Sequence, residues 1–300
     1  MPYARPGGRS VRPVERVGRI RVSEVSYEVV EGVAHVTLDR PDKRNAMDLE
    51  VFAQLAECAA RVQADDDVGA VVVAGRGGTF SAGLDLATLG GLLTAGAGEG
   101  GDGTEGSGAA TGTATAPALD PTLVARLQAT FTAYEELDVP VLAAIEGHCL
   151  GGGIQLAAAC HLRAVAPTAA MAVLESRWGL VPDLGGTYRL PRLIGPGRTT
   201  ELAMTARTFD AEEALRIGFA ELALPAEAPQ DAAHDHAAKL AAGPGSVRRV
   251  PRLVRENLGR DRTAALGAEI AAQVTGVSGP DVTEAITAHL EGRAPRFVGR

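Results

Sequence analysis

Aromatic residues are scarce in this chain. They make up 4% of 300 residues, with a single tryptophan, Trp178. The net charge of −8 leaves no broad basic surface. Few stacking platforms and an acidic balance argue against a nucleic-acid partner. Cysteine is scarce too. The three present, Cys58, Cys149 and Cys160, lie in apolar or small-residue segments without metal-ligand spacing. That excludes a disulfide-built scaffold and reads as buried free thiols of a reducing, cytoplasmic compartment. No His, Asp or Glu spacing points to a metal. No apolar run approaches the ~18 residues of a membrane span, so no membrane partner is expected.

What is present is a hydrophobic fraction of 46%, enough for a sizeable core. Residues 1–22 stand apart. They carry Arg5, Arg9, Arg12, Arg16, Arg19 and Arg21 against one acid, Glu15. Without an apolar stretch they do not form a secretory signal. They read as a disordered N-terminal arm, with an organellar transit segment as the alternative. Residues 90–120 are low in complexity, mostly Gly, Ala and Thr. Such a segment buries too little apolar surface to order itself. It reads as a surface insertion.

The body alternates strand and helix. Val25–Val30 and Val33–Leu38 read as strands joined at Glu31-Gly32. Asp48 is placed to cap a helix whose apolar face runs Phe52, Leu55, Ala59, Val62. Val68–Ala74 and Val139–Ile145 read as buried strands, with a helix over Leu123–Leu137 between them. Leu162–Ala166 and Met171–Leu174 follow as short strands. Asp210 and Glu213 have the spacing of a capping box. From about Asp231 the chain is helical, broken at Gly243-Pro244, Gly276–Pro280 and Ala294-Pro295. The division expected is an arm over 1–22, a core over 23–230 carrying the insertion 90–120, and a helical region over 231–300.

Two glycine-bearing stretches carry the chemistry. Ser81-Ala82-Gly83-Leu84-Asp85-Leu86 and Gly147-His148-Cys149-Leu150-Gly151-Gly152-Gly153 each follow a predicted strand. Each can present bare backbone N–H groups where a helix begins. Two such donors from separate segments can converge on one oxygen that gains negative charge, and small residues let it approach. The pair points to chemistry on a carbonyl or thioester.

With their neighbours these residues resemble a known family. Leu38-Asp39-Arg40-Pro41 with Asn45-Ala46-Met47, Phe80–Leu86, Gly147–Gly153, Trp178–Asp183 with Gly185-Gly186-Thr187, and Phe209–Ala214 are similar, in order, to the motifs of the crotonase (enoyl-CoA hydratase/isomerase) superfamily. The resemblance implies an α/β fold, a crotonase-like spiral of ββα units with a helical C-terminal trimerisation region. It implies a homotrimer or homohexamer, an acyl-CoA substrate, and no cofactor beyond the CoA thioester of that substrate.

By the same resemblance, the backbone N–H groups of Leu84 and Gly152 grip the thioester oxygen. Asn45, Ala46, Ala82, Gly83, Asp85 and Leu86 line the CoA site, largely through backbone atoms. Arg44, with Arg40 and Lys43, is a candidate phosphate neighbour. The hydratases of the family hold one water between two glutamates, at positions that match Gln155 and Glu175 here. Glu175 is retained; Gln155 is an amide, which can orient a water but not deprotonate it. Glu175 is therefore the expected single base and acid. Asp183 matches an acid used by dienoyl-CoA isomerases of the family; a helix cap after Pro182 is its alternative role. A lysine and an aromatic that reach a neighbouring subunit's CoA are replaced by Gly292 and His289, so Arg293 and Arg296 are candidate substitutes. The expected reaction is double-bond isomerisation of an enoyl- or dienoyl-CoA. Enoyl-CoA hydration is the alternative, and a non-catalytic acyl-CoA-binding scaffold the lesser one.

Overall fold

The computed structural model describes residues 20–21, 24–96 and 120–299. The expected arm over 1–22 lies outside the described residues apart from Ile20–Arg21, and so do residues 97–119 of the expected insertion. The elements in chain order are β1 (Ile20–Arg21), β2 (Val25–Val30), β3 (Val33–Leu38), α1 (Leu49–Ala64), β4 (Ala70–Gly75), α2 (Leu86–Gly96) and α3 (Pro121–Glu135). Then follow β5 (Val141–Ile145), β6 (His148–Leu150), α4 (Gly152–Ala159), β7 (Leu162–Val165), β8 (Ala170–Ala172), α5 (Gly186–Ile194), α6 (Pro196–Thr205), β9 (Phe209–Asp210), α7 (Ala211–Ile217) and β10 (Leu222–Ala223). Helices α8 (Pro229–Ala241), α9 (Gly245–Asn257), α10 (Arg262–Val277) and α11 (Pro280–Glu291) complete the chain.

Glu31 and Gly32 have φ of 51° and 76°, so the turn between β2 and β3 follows the twist of the paired strands. Beyond that hairpin one pattern repeats. A strand enters the large sheet, a short extended segment enters a second layer, and a helix returns. The large sheet has the order β1-β2-β3-β4-β5-β7-β10, parallel from β3 onward. The second layer holds β6-β8-β9 and extends through two single bridges, Ser81 to Cys149 and Met47 to Leu84. β5 and β6 occupy neighbouring layers of one turn, and β7 and β8 those of the next.

The core fills the space between the layers and α1 and α3. Asp48 caps α1 by accepting the Val51 N–H at 3.0 Å. Asp120 caps α3 by accepting the Leu123 N–H at 2.8 Å. The buried rings of Phe52 and Phe131 stack with centroids 5.4 Å apart. Burying each such side chain is worth about 1.5–3 kcal/mol of transfer free energy. On the other face of the large sheet, α8 lays Ala233 and Ala237 against Val72 and Leu142.

Two expectations change here. Residues 90–96 are ordered, because α2 continues to Gly96 and Leu92 is buried in the core. Apolar contact outweighs the local low complexity. The capping box at Asp210 is half formed. Asp210 accepts the Glu213 N–H at 2.8 Å, but the Glu213 carboxylate binds Arg207, with both contacts at 2.8 Å. A bidentate guanidinium outcompetes one backbone N–H.

Candidate active site

The two glycine segments lie side by side in the second layer. The Ser81 N–H donates to His148 O at 2.8 Å, and the Leu150 N–H donates to Ser81 O at 2.9 Å. On the other side, the Met47 N–H donates to Gly83 O and the Asp85 N–H to Met47 O, both at 2.8 Å. Ser81 is fully buried and braces the turn; its Oγ donates to Asn45 O at 2.8 Å and accepts the Gly83 N–H at 3.1 Å. Gly83 has φ +93°, and a Cβ there would stand 2.7 Å from Leu150 O. Gly151 has φ 52° and ψ −120°, a region closed to other residues. These two glycines let the segments meet.

As a result, the backbones of Leu84 and Gly152 lie close together. A carbon attached to Gly152 would lie 3.7 Å from the Leu84 nitrogen. Neither N–H has a protein acceptor among the described residues. Gly152 opens α4, so its amide is one of the donors a helix leaves unpaired, and the helix dipole adds to its pull on an anion.

Both residues border a cavity of about 430 Å³. Leu86, Leu89 and Leu92 of α2, Leu127 of α3, and Leu174, Trp178, Leu180 and Leu184 form its apolar wall. Lys43, Ala46, Ala82, Gly83 and Asp85 line it as well. The polar side chains deepest in the site are Gln155 and Glu175, which are buried; Asp183 borders the same cavity at its exposed rim.

Glu175 Oε1 accepts from Gln155 Nε2 at 2.6 Å, and Gln155 Oε1 accepts the Gly186 N–H at 2.8 Å. Glu175 Oε2 is buried without a hydrogen-bond partner. Burial is the chief cause that raises the Glu175 carboxyl above its ordinary range. Donors around it, including the Gln155 amide, pull the other way, and the Asp183 charge adds to the rise. Burial also raises the Asp183 carboxyl. A desolvated carboxylate against an apolar wall is a stronger base than one in water.

The sequence model of the enoyl-CoA hydratase/isomerase family matches residues 33–297. This chain belongs to the enoyl-CoA hydratase/isomerase family. It is 36% identical over 211 residues to the mitochondrial Delta(3,5)-Delta(2,4)-dienoyl-CoA isomerase of Rattus norvegicus, which covers 68% of this chain and 61% of that protein. The chain thus spans about three-fifths of that relative's length. It is 30% identical over 275 residues to enoyl-CoA hydratase domain-containing protein 2 of Bos taurus, covering 90% of this chain and 85% of the relative. The crystal structure of an enoyl-CoA hydratase from Bacillus anthracis superposes with a TM-score of 0.80 at 27% identity, covering 93% of this chain and all of that one. The fold is that of the crotonase superfamily.

Within this family member, several residues sit elsewhere than expected. Arg44 is exposed and Asn45 is fully buried, and neither borders the cavity. The Asn45 side chain ties loops together: Oδ1 accepts the Arg40 N–H at 2.9 Å, and Nδ2 donates to Arg76 O at 2.9 Å and Thr79 O at 2.6 Å. Arg40 is no phosphate neighbour. It is buried and reaches Glu24 at 3.4 Å, Asp48 at 2.9 Å and Asp85 at 3.9 Å. Asp85 borders the cavity, but its Oδ1 accepts the Ala87 N–H at 2.9 Å and so starts α2. Of the basic candidates in this loop, Lys43 stands at the cavity. Asp183 is not a helix cap, since Gly185 precedes α5. Arg293 is occupied by Glu284, at 2.6 and 2.9 Å, and by Glu291 at 2.6 Å.

The remaining candidates settle as structural. His161 takes the Val141 N–H on Nδ1 at 3.1 Å and has Glu135 O 3.1 Å from Nε2, which fixes a neutral ring. Cys149 is buried and its thiol is pushed far up by desolvation, so it is no nucleophile. Among the described residues no group of His, Cys, Asp and Glu is arranged to hold a metal ion, and no helix is long and apolar enough to cross a membrane. The Gly186 amide is a donor in the site that no sequence motif marks. The Gly185-Gly186 pair was visible, but nothing in the pattern aimed its N–H at residue 155.

Proposed function

We propose that this chain shifts a carbon–carbon double bond of an enoyl- or dienoyl-CoA. The thioester oxygen lies between the Leu84 and Gly152 N–H groups. The Glu175 carboxylate takes a proton from the carbon alpha to the thioester carbonyl. The electron pair of that C–H bond moves through the carbonyl to give a conjugated enolate, held by the two amides. Such fixed donors are worth about 3–4 kcal/mol to a developing oxyanion. Glu175 then returns the proton at the far end of the conjugated system. One C–H bond breaks and one forms; no water, electron acceptor, metal or resident cofactor takes part. With a dienoyl substrate the conjugation is longer, and a protonated Asp183 gives its proton to the far carbon while Glu175 keeps the alpha proton; Glu175 then loses that proton to solvent and Asp183 regains one before the next turnover.

One observation carries this reading. Glu175, which borders the apolar cavity, is partnered by an amide donor and not by a second carboxylate, and its Oε2 is buried without a hydrogen-bond partner. That suits one base moving one proton. A hydration reading keeps support from the placement of both Glu175 and Asp183 on the same cavity, where they share a water. It also draws on the hydratases among the similar structures.

The test uses 2-enoyl-, 3-enoyl- and 3,5-dienoyl-CoA, each followed by absorbance and mass. A spectral shift without a change in mass supports isomerisation. A gain of one water supports hydration. Binding of all three without turnover leaves an acyl-CoA-binding scaffold and sinks both enzyme readings.

The assembly we propose is a homotrimer or homohexamer. Helix α10 buries none of its side chains and exposes Leu266, Ile270, Val274 and Val277 on one stripe. Contiguous exposed apolar surface of this kind marks an interaction face. The three buried free thiols suit a reducing, cytoplasmic location.

A further inference from the structure

We infer that Gln155 is a positioning residue that holds Glu175 through one oxygen so that the other, Oε2, is the atom that moves the proton. This rests on the proposal that Glu175 is the base.

The arrangement begins with two helix starts. Gly152 opens α4, and Gln155 follows three residues later, so the two share one face of that helix. Gly186 opens α5, where its amide has no partner within its own helix. Gln155 Oε1 takes that amide at 2.8 Å. The contact decides which end of the side chain is which. A carbonyl oxygen accepts and an amide nitrogen donates, so Nε2 must face Glu175, and it does so at 2.6 Å. Gln155 is 1% exposed, so water does not compete for either end. The site leaves no room for drift, since a Cβ on Gly186 would stand 2.7 Å from Gln155 Oε1.

The consequence falls on Glu175. Its Oε1 is held, and its Oε2 is buried and unpartnered. A carboxylate fixed at one oxygen cannot turn that oxygen to the substrate without breaking a charge-assisted hydrogen bond. Only Oε2 is free to take the alpha proton. A carboxylate at position 155 could not donate in this way unless protonated. The amide therefore supplies a donor at every pH, and its bond opposes part of the rise that burial causes in the Glu175 carboxyl.

The test compares Gln155→Met, Gln155→Glu, Gly186→Ala and Glu175→Gln with the wild-type protein. Each is assayed with whichever of the three acyl-CoA probes the wild type turns over, and kcat and KM are measured against pH. Gln155→Met should lower kcat about 10–100-fold, the worth of a hydrogen bond to a charged group, with KM little changed. Its acid limb should move up by about one pH unit or more. Gln155→Glu should restore the donor only while the introduced carboxyl is protonated. Its kcat should therefore fall on the alkaline side, where the wild type stays flat. Gly186→Ala pushes the amide out of place and should shift the acid limb in the same direction as Gln155→Met, which keeps the test open if Gln155→Met does not fold. Folded variants with an unmoved acid limb, or with kcat within twofold of wild type, overturn the positioning role while leaving Glu175 as base. Wild-type turnover in Glu175→Gln overturns the base itself, and the positioning role with it.

Discussion

Gln155 Nε2 stands 2.6 Å from Glu175 Oε1, and both side chains are buried beside the same apolar cavity. A hydrogen-bond donor thus sits where a two-carboxylate water site would need an acceptor. The pair fixes the orientation of the only buried carboxylate in that cavity among the described residues.

Glu175→Gln is expected to lower kcat by about 10²–10⁴-fold, the usual worth of a placed acid–base group. Acyl-CoA affinity and melting temperature should stay close to wild type, because the amide fills the same volume. Isothermal titration beside steady-state rates checks this. A variant that turns over normally removes Glu175 from the mechanism.

Gly152→Ala places a methyl group 3.7 Å from the Leu84 nitrogen and 3.0 Å from Met47 Cε, in the space the thioester oxygen needs. We expect kcat to fall about 10²–10³-fold, as when an oxyanion donor is lost. Alanine suits a helix start, so a thermal melt should show little change. Undiminished turnover would show that the reacting oxygen lies elsewhere.

Asp183→Asn separates the two acids. Turnover of 3,5-dienoyl-CoA should fall about 10–100-fold or more, in the range of a lost general acid, while the 3-enoyl-CoA rate holds. Equal rates on both substrates would confine Asp183 to the rim of the cavity.

Asn45→Ala tests a structural assignment. It removes three hydrogen bonds of a buried side chain and leaves a residue at φ 54° without a side chain suited to it. A loss of about 2–4 kcal/mol in urea unfolding is expected. The folded protein should keep its kcat/KM. A selective rise in KM with stability intact would return Asn45 to the substrate site.

His35 is expected to weaken the fold as the pH falls. It stacks on His234 with Nε2 to Nδ1 at 3.0 Å, and burial, followed by the charge of His234, pushes it down to about 4. The folded state therefore binds this proton more weakly than the unfolded chain, whose histidine titrates near ~6.5. The stabilisation is complete above about 6.5 and is lost as pH falls toward about 4, by at most about 3 kcal/mol. Urea unfolding at both ends of that range should show the decline, and His35→Gln should flatten it. An unchanged slope in the variant would place the acid sensitivity at other groups.

Much of the fold was legible in the sequence because its signals are local. The Glu31-Gly32 turn, the Asp48 and Asp210 caps and the buried strands each depend on neighbours within a few residues. The ordered end of α2 was not legible, since Leu92 is held by distant core residues and not by its own segment. The arginine-rich arm and residues 97–119 lie outside the described residues.

The candidate site divides in the same way. Sequence alone determined its parts: two small-residue segments able to expose amides, one glutamate, and a glutamine where a second acid was expected. Backbone donors need only short side chains, and that requirement is written in composition. Tertiary structure decided what those parts do to one another. It brought the Leu84 and Gly152 backbones together, tied the Asn45 and Arg40 side chains into buried contacts, and turned the Gln155 amide by way of Gly186. Those outcomes depend on partners up to 68 positions apart meeting across separate turns of the chain, and direction in a hydrogen bond is set by the partner, which no local pattern names.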